Sequence, residues 1–228
     1  MQNSVAFVRE HGYGIFPDGF SSAELFPVRD ELSRVELKRS RAGARHVLSL
    51  PSVSEIVHRH ELLSLARGIL GLDTIPFRAT FFDKSPNSNW LVAWHQDTAL
   101  PLTEKREIPG WGPWSTKDRV TYAHAPARAL RQVLALRIHL DDSHENNGPL
   151  RLIPDSHHSG VLTDAEIHER AGDSSGVVCL VPAGGVIAMR PLIIHASSKS
   201  ESELSRRVLH IEYASSRDIG DGLELALA

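Results

Sequence analysis

From residue 75 onward turn signals cut the chain into short β-rich runs, and no other feature constrains its fold as tightly. The runs are PFRATFFDK, LVAWH, QVLALRIHLD, LRLIP, VVCLV, VIAMR, LIIHAS and RRVLHIEYA, with SPNSN, ENNGP and PAGG as turns. Short strands in that number predict a sandwich or a double-sheet jelly roll. TDAEIHERA interrupts them as a helix, with Thr163 as its cap and Glu166 completing the capping box. Residues 98–126, TALPLTEKREIPGWGPWSTKDRVTYAHAP, are too long for a simple connection and are expected to form a functional loop, such as a lid, beside a strand end.

The first third reads as helices around a short strand. SSAELFPVRDELSRV opens with Ser21 and Glu24 as a capping box and spaces Leu25, Val28, Leu32 and Val35 three or four apart. PSVSEIVHRHELLSLARGILG repeats the pattern: Ser52 with Glu55, an apolar face through Ile56, Leu62, Leu63, Ala66 and Leu70, and Gly71 as the stop. His58 and His60 fall on its solvent side. The expected organisation is one domain over 1–228, mainly β, with a mostly helical flank at 1–74 and a jelly-roll core at 75–214.

Composition narrows the function classes. The 228 residues are 41% hydrophobic and 23% charged with a formal charge of −3, as in an ordinary soluble protein. No basic excess points to nucleic acid. No apolar run is long enough to cross a bilayer, and MQNSVAFVRE lacks the pattern of a leader, so a cytoplasmic protein without membrane partners is expected. The lone Cys179 excludes an intramolecular disulfide and a cysteine metal cluster, which leaves histidine and carboxylate as metal ligands.

Two His-x-Asp pairs occur, His95 with Asp97 in LVAWHQDTALP and His139 with Asp141 in LRIHLDDS. With 13 histidines in the chain, about one such pair arises by chance, so the surroundings must choose between them. Residues two apart in a strand share a face, and His195, at the end of the apolar RPLIIHASS run, offers a third ligand. Two imidazoles and one carboxylate on one side of a metal leave the opposite positions open, as an oxygen-activating Fe(II) centre requires. A structural zinc site would be closed by a fourth ligand. Beyond His195, either Arg206 or Arg207 faces the cavity, and strand alternation alone does not choose. A buried arginine needs an anion, and the far carboxylate of 2-oxoglutarate is a suitable bidentate partner. Ser197, on the face of His195, can add a hydroxyl to it.

WHQD, NNGPLRLIPDSHHSG, GG before a strand, HASS, and an arginine eleven positions past the distal histidine together resemble the phytanoyl-CoA dioxygenase family of Fe(II)/2-oxoglutarate oxygenases. The resemblance runs from about residue 75 to 214. It implies a double-stranded β-helix, with His95, Asp97 and His195 as iron ligands and Arg206 as the 2-oxoglutarate arginine. Gln96, Ser197 and Thr80 match positions that help hold the co-substrate. It places His139 and Asp141 on a barrel-lining strand before the ENNGP turn. Arg137 shares a face with His139 and is expected near 2-oxoglutarate, although an aromatic side chain often stands there in the family. His157 and His158, after a turn, read as structural or surface residues. The implied reaction uses Fe(II), 2-oxoglutarate and O2, hydroxylates a small-molecule substrate and releases succinate and CO2. Related halogenases carry a small residue in place of the aspartate, so Asp97 favours hydroxylation.

Trp111, Trp114, Tyr122 and His124 in the long loop are candidates to face the substrate, with packing against the barrel as the equal alternative. No phosphate-binding glycine loop identifies an acyl-CoA. A cupin-like metal-dependent isomerase or hydrolase, or a non-catalytic metal-binding jelly roll, is the competing function.

Overall fold

Alternation along three neighbouring strands sorts the protein into a helix-covered outer face and a polar inner one. The computed structural model describes residues 2–37, 39–40, 43–172, 174 and 176–228. Among them are six α-helices: α1 (Gln2–His11), α2 (Ser22–Arg34), α3 (Pro51–Ile56), α4 (His60–Leu70), α5 (Ala127–Leu130) and α6 (Asp164–Ala171). The strands before the long connection are β1 (Tyr13–Phe16), β2 (Arg39–Ser40), β3 (Gly43–Arg45), β4 (Ile75–Lys84) and β5 (Val92–His95). There follow β6 (Ala99–Leu102), β7 (Trp114–Lys117), β8 (Val120–His124), β9 (Val133–His139) and β10 (Leu150–Leu152). The last are β11 (Val177–Cys179), β12 (Val186–Met189), β13 (His195–Ser197) and β14 (Arg206–Ala214).

The major sheet has the order β1-β12-β9-β14-β4-β3-β2 and faces a four-stranded sheet ordered β11-β10-β13-β5. All recorded strand pairings in both are antiparallel. These are the two layers of a jelly roll. The expected helical flank thus also supplies β1, β2 and β3 to the major sheet. In β4, Ala79 and Phe81 point outward into a core with Leu25, Val28 and Leu32 of α2 and Leu62, Leu65, Ala66 and Ile69 of α4. Burial of each of these leucines contributes about 2 kcal/mol. Between them, Arg78, Thr80, Phe82 and Lys84 face the space between the sheets. A third apolar cluster, with Leu150, Leu152, Val181, Ile187 and Ile193, fills the rest of that interior.

Local chemistry sets the helix ends. Ser21 Oγ accepts from the Glu24 amide at 3.4 Å and the Glu24 carboxylate accepts from the Ser21 amide at 2.8 Å, the expected capping box. Thr163 and Glu166 do the same for α6. The single helix expected from Ser52 to Gly71 is instead two. Pro51 starts α3 at a position where its missing N–H costs nothing, and Ser52 donates its amide and hydroxyl to Glu31 rather than capping with Glu55. A turn at 57–59 then re-aims the chain so that α4 lays its own apolar face on the sheet.

The lid expected at 98–126 is ordered differently. Much of it forms the antiparallel sheet β6-β8-β7, whose apolar side packs with Trp111, Leu130, Leu223 and Leu225 into a second core. The long connection hides strands because PLTEKREIPG separates them and WSTK and VTYAH alternate only weakly. No helix among the described residues is long and apolar enough to cross a membrane.

Candidate metal and co-substrate site

β5 and β13 are antiparallel neighbours in the smaller sheet, and their register sets His95 opposite His195. The two imidazole centroids lie 4.2 Å apart. His95 Nδ1 sits 2.9 Å from the carbonyl of Ala93, and His195 Nδ1 sits 2.9 Å from that of Ile193. Since a carbonyl only accepts, each Nδ1 carries a proton, which leaves each Nε2 as the atom that can bind a metal. Burial would lower the His95 pKa, but Asp97 more than offsets it and raises it. Both Nε2 atoms turn to one carboxylate: His95 to Asp97 Oδ1 at 3.6 Å, His195 to Oδ2 at 3.5 Å. Asp97 is placed by its backbone, whose N–H donates to Pro191 at 2.9 Å. One donor atom from each residue falls within 4.8 Å of the others.

The electrostatics suit a cation. Burial alone would raise the Asp97 pKa, but His195 and His95 hold it well below the usual carboxylate range. Burial, with His95 beside it, pushes His195 down to about 4. An ionised carboxylate beside a neutral imidazole is the protonation state a divalent metal needs. Two nitrogens from paired strands and one oxygen from just past the end of β5 leave the side toward the cavity open, so the residues fit Fe(II).

That cavity, about 230 Å³, runs between the sheets. Arg206, Lys84, Ser197, Thr80 and Arg137 line it with the triad. Arg206 Nε donates to the Asn147 carbonyl at 3.1 Å, which leaves the rest of its fork free. Arg207, one residue on, faces outward and forms a two-pronged pair with Asp141, Nε to Oδ2 and Nη2 to Oδ1 both at 2.8 Å. Alternation in β14 therefore assigns Arg206 to the cavity. The competing His-x-Asp pair divides likewise: Asp141 serves Arg207, and His139 is buried beside Arg137 and Arg206 with neither ring nitrogen hydrogen-bonded.

Lys84 escaped the sequence reading. Its Nζ donates to Ser197 Oγ at 2.7 Å and to the Ser198 carbonyl, and Ser197 donates on to Gly148 at 2.8 Å. Lysine is rarely buried, and at the last position of the PFRATFFDK run, before the SPNSN turn, nothing singles it out. The available signal was parity: Lys84 lies four residues from Thr80 on one face. Burial, then Arg206 and Arg137, push Lys84 down to about 7. Burial and Arg137 push Arg206 down to about 10. Arg137 is held by His210 Nδ1 at 3.0 Å and lies 5.3 Å from the centre of Phe82. Burial lowers the Arg137 pKa while Asp97 raises it. Lys84 and Arg206, each depressed by cationic neighbours and without an ion-pair partner among the described residues, fit an anionic co-substrate.

At the other end Arg78 pairs with buried Glu212 and donates to the Ala99 carbonyl at 3.1 Å. Burial would lower the Arg78 pKa, but Glu212 more than offsets it and keeps the guanidinium charged. Arg45, from β3, lines this end too.

Five of the expected residues lie elsewhere. Gln96, expected beside the co-substrate, instead braces backbone: its amide donates to Leu192 at 2.7 Å and Gly160 at 2.9 Å and accepts from Leu162 at 2.9 Å. Trp111 packs into the second core and donates to Asp221 Oδ2 at 2.8 Å, and Trp114 packs against the same core. Tyr122 is buried with its hydroxyl 2.8 Å from His46 Nε2, and His124 Nδ1 is 2.7 Å from Thr98 Oγ1. None of the four loop residues is among those lining the cavity. His157 and His158 reach the carbonyls of Arg9 and Glu10 at 3.2 and 2.9 Å. His58 contacts the Ser54 carbonyl, and His60 is exposed.

Comparison with known proteins agrees with this geometry. A family model described as phytanoyl-CoA dioxygenase matches residues 8–208. An L-proline trans-4-hydroxylase from Streptomyces griseoviridis is 30% identical over 138 residues, 49% of this chain and 51% of that protein. The chain thus aligns with about half the length of that curated relative. HygX from Streptomyces hygroscopicus, solved with nickel and 2-oxoglutarate, superposes with a TM-score of 0.69 at 15% identity, covering 94% of this chain and 87% of that one. EctD from S. alaskensis, solved with 2-oxoglutarate and 5-hydroxyectoine, superposes at 0.70 and 16% identity, covering 93% and 75%.

Proposed function

Because the chain belongs to the phytanoyl-CoA dioxygenase family, we propose that it is an Fe(II)- and 2-oxoglutarate-dependent dioxygenase that hydroxylates a small-molecule substrate and releases succinate and CO2. One observation carries the reading: a single cavity holds both an open three-ligand metal face and, in Arg206 and Lys84, a cationic pole with no ion-pair partner among the described residues. A cupin-like isomerase or hydrolase would use the triad and leave Arg206, Lys84 and Arg137 without an anion.

Bound iron and 2-oxoglutarate supply the O2 activation that places a hydroxyl on a substrate carbon. His95, Asp97 and His195 would hold the metal, with both imidazoles oriented by their Nδ1–H bonds. Arg206 and Lys84 would bind the far carboxylate of 2-oxoglutarate, and Ser197, which accepts a hydrogen bond from Lys84, keeps that ammonium in place. Thr80 and Arg137 flank the co-substrate along the sheet. Trp90, Val92 and Leu150 supply apolar wall that keeps water from the open metal positions. The same reading makes the chain one domain, supported by a major sheet that draws strands from both flank and core. It also makes the protein cytoplasmic, in keeping with a buried Cys179 that has no disulfide partner.

The test is anaerobic titration of the Fe(II)-loaded protein with 2-oxoglutarate, following the weak visible charge-transfer band of the chelate. The band forms in the wild type and needs far more co-substrate in Arg206→Ala. Absence of a band with iron bound would remove the oxygenase reading and favour the cupin-like one.

A further inference from the structure

The cavity carries a further cation, Arg45, set away from Lys84 and Arg206. Cross-strand register puts Arg137, His210, Thr80 and Arg45 in one row across β9, β14, β4 and β3. Lys84 and Arg206 face each other further along β4 and β14. Thr80 and Lys84 are four residues apart, about 13 Å of strand, and Arg45 lies two strands, about 10 Å, across from the β14 column. A five-carbon diacid gripped by Arg206 and chelating the triad therefore does not also need Arg45.

Arg45 is held in place by its neighbours. Gly43 lies so close to β4 that an added Cβ would sit 2.3 Å from the Phe81 carbonyl oxygen. His46, just after, takes a left-handed φ of 62°, unusual for a residue with a side chain. The glycine lets β3 lie close against β4, and the register sets Arg45 opposite Thr80. Its guanidinium has no ion-pair partner among the described residues, whereas its neighbour Arg78 is engaged by Glu212 and the Ala99 carbonyl. The Lys117 ammonium stands nearby, 5.1 Å from the Tyr122 ring centre, and burial, Arg45 and Arg78 all lower its pKa. Arg78 in turn feels the charge of Asp97, so this end of the cavity adjoins the His95–Asp97–His195 triad.

We propose that Arg45 is the anchor for a carboxylate of the substrate, which makes the substrate a small organic acid bound between Arg45 and the open face of the His95–Asp97–His195 triad. This rests on the oxygenase reading. A planar guanidinium matches a carboxylate in two-pronged fashion, and the cavity of about 230 Å³ suits a small acid rather than a coenzyme A thioester. Arg78, kept in its pair by Glu212, adds field without taking the substrate itself.

The test uses protein loaded with Zn(II) and 2-oxoglutarate, which cannot turn over. Saturation-transfer NMR screens a panel of small amino acids and 2-hydroxy acids, L-proline included, each beside its own carboxamide. We expect acids of the panel to bind and their amides not to. Arg45→Gln weakens those acids at least tenfold, Arg45→Lys recovers part of the loss, and both leave 2-oxoglutarate affinity within twofold. The assignment is overturned if no acid binds, if an amide binds as well as its acid, or if Arg45→Gln leaves acid binding intact. It is overturned as well if Arg45→Gln weakens 2-oxoglutarate as much as Arg206→Ala does, which would make Arg45 a co-substrate anchor. Failure of the wild type to bind 2-oxoglutarate at all instead removes the oxygenase reading and this inference with it.

Discussion

Lys84 Nζ lies 2.7 Å from Ser197 Oγ, and this contact ties the polar face of the major sheet to the strand that carries the distal metal ligand. The lysine is buried beside Arg206. Replacing it with methionine keeps the packing volume and removes the charge. A charged hydrogen bond of this kind contributes roughly 1.5–3 kcal/mol, so Lys84→Met should weaken 2-oxoglutarate about 10- to 100-fold with metal affinity unchanged. Calorimetric titration of the Zn(II)-loaded proteins measures both. An unchanged co-substrate Kd would remove Lys84 from the site.

The same lysine makes co-substrate binding pH dependent, in a direction its pKa fixes. Free protein holds Lys84 at about 7, so the ammonium is present below that pH and lost above it. A bound dicarboxylate favours the charged form and raises the pKa. Binding above pH 7 therefore takes up a proton, and affinity falls by up to about tenfold per pH unit until the bound-state pKa is passed. Calorimetry in buffers of different ionisation enthalpy reads the proton uptake directly. Wild type at pH 8.5 should show it and Lys84→Met should not.

Adjacent arginines offer a sharp contrast. Arg206 faces the cavity, and Arg207 is committed to Asp141 on the outer face. Arg206→Ala should raise the 2-oxoglutarate Kd on the order of 100-fold, because it removes one partner of a buried charge pair. Arg207→Ala should leave that Kd unchanged. The Arg207 pair is partly exposed, so its loss costs about 1 kcal/mol or less. Kd values and thermal melts of the two variants separate these roles, and comparable Kd changes in both would contradict the strand phasing.

The ligands and the barrel were legible because their signals are local. His95 and Asp97 sit two apart at a strand end, and apolar runs with clear turns mark most of the strands that carry the cavity. What escaped depends on contacts distant in sequence. Arg45 belongs to a short strand in a segment read as helical, and only its register with Thr80, 35 positions later, brings it to the site. Lys84 looks like an exposed strand end until Ser197, 113 residues away, accepts its hydrogen bond. Gln96 carries the right motif position, yet its amide is used up on the backbone of Leu192, Gly160 and Leu162. Alternation left Arg206 and Arg207 equivalent, and the outward carboxylate of Asp141 breaks the tie.

Trp111 tests whether the segment between β6 and β8 is a substrate lid or a second core. Its indole is 7% exposed, packs near Leu130, Leu223 and Leu225, and donates Nε1–H to Asp221 at 2.8 Å. Removing a buried tryptophan of this kind costs about 3–5 kcal/mol. Trp111→Ala should therefore lower Tm by roughly 10 °C in a chain of this size. Trp111→Phe keeps most of the apolar contact and loses the hydrogen bond, so it should cost only about 1 kcal/mol. Since the indole lies outside the cavity lining, both variants that remain folded at 20 °C should bind metal and 2-oxoglutarate as the wild type does. A lid predicts the opposite pattern: little change in melting temperature and a large loss of substrate-coupled succinate formation.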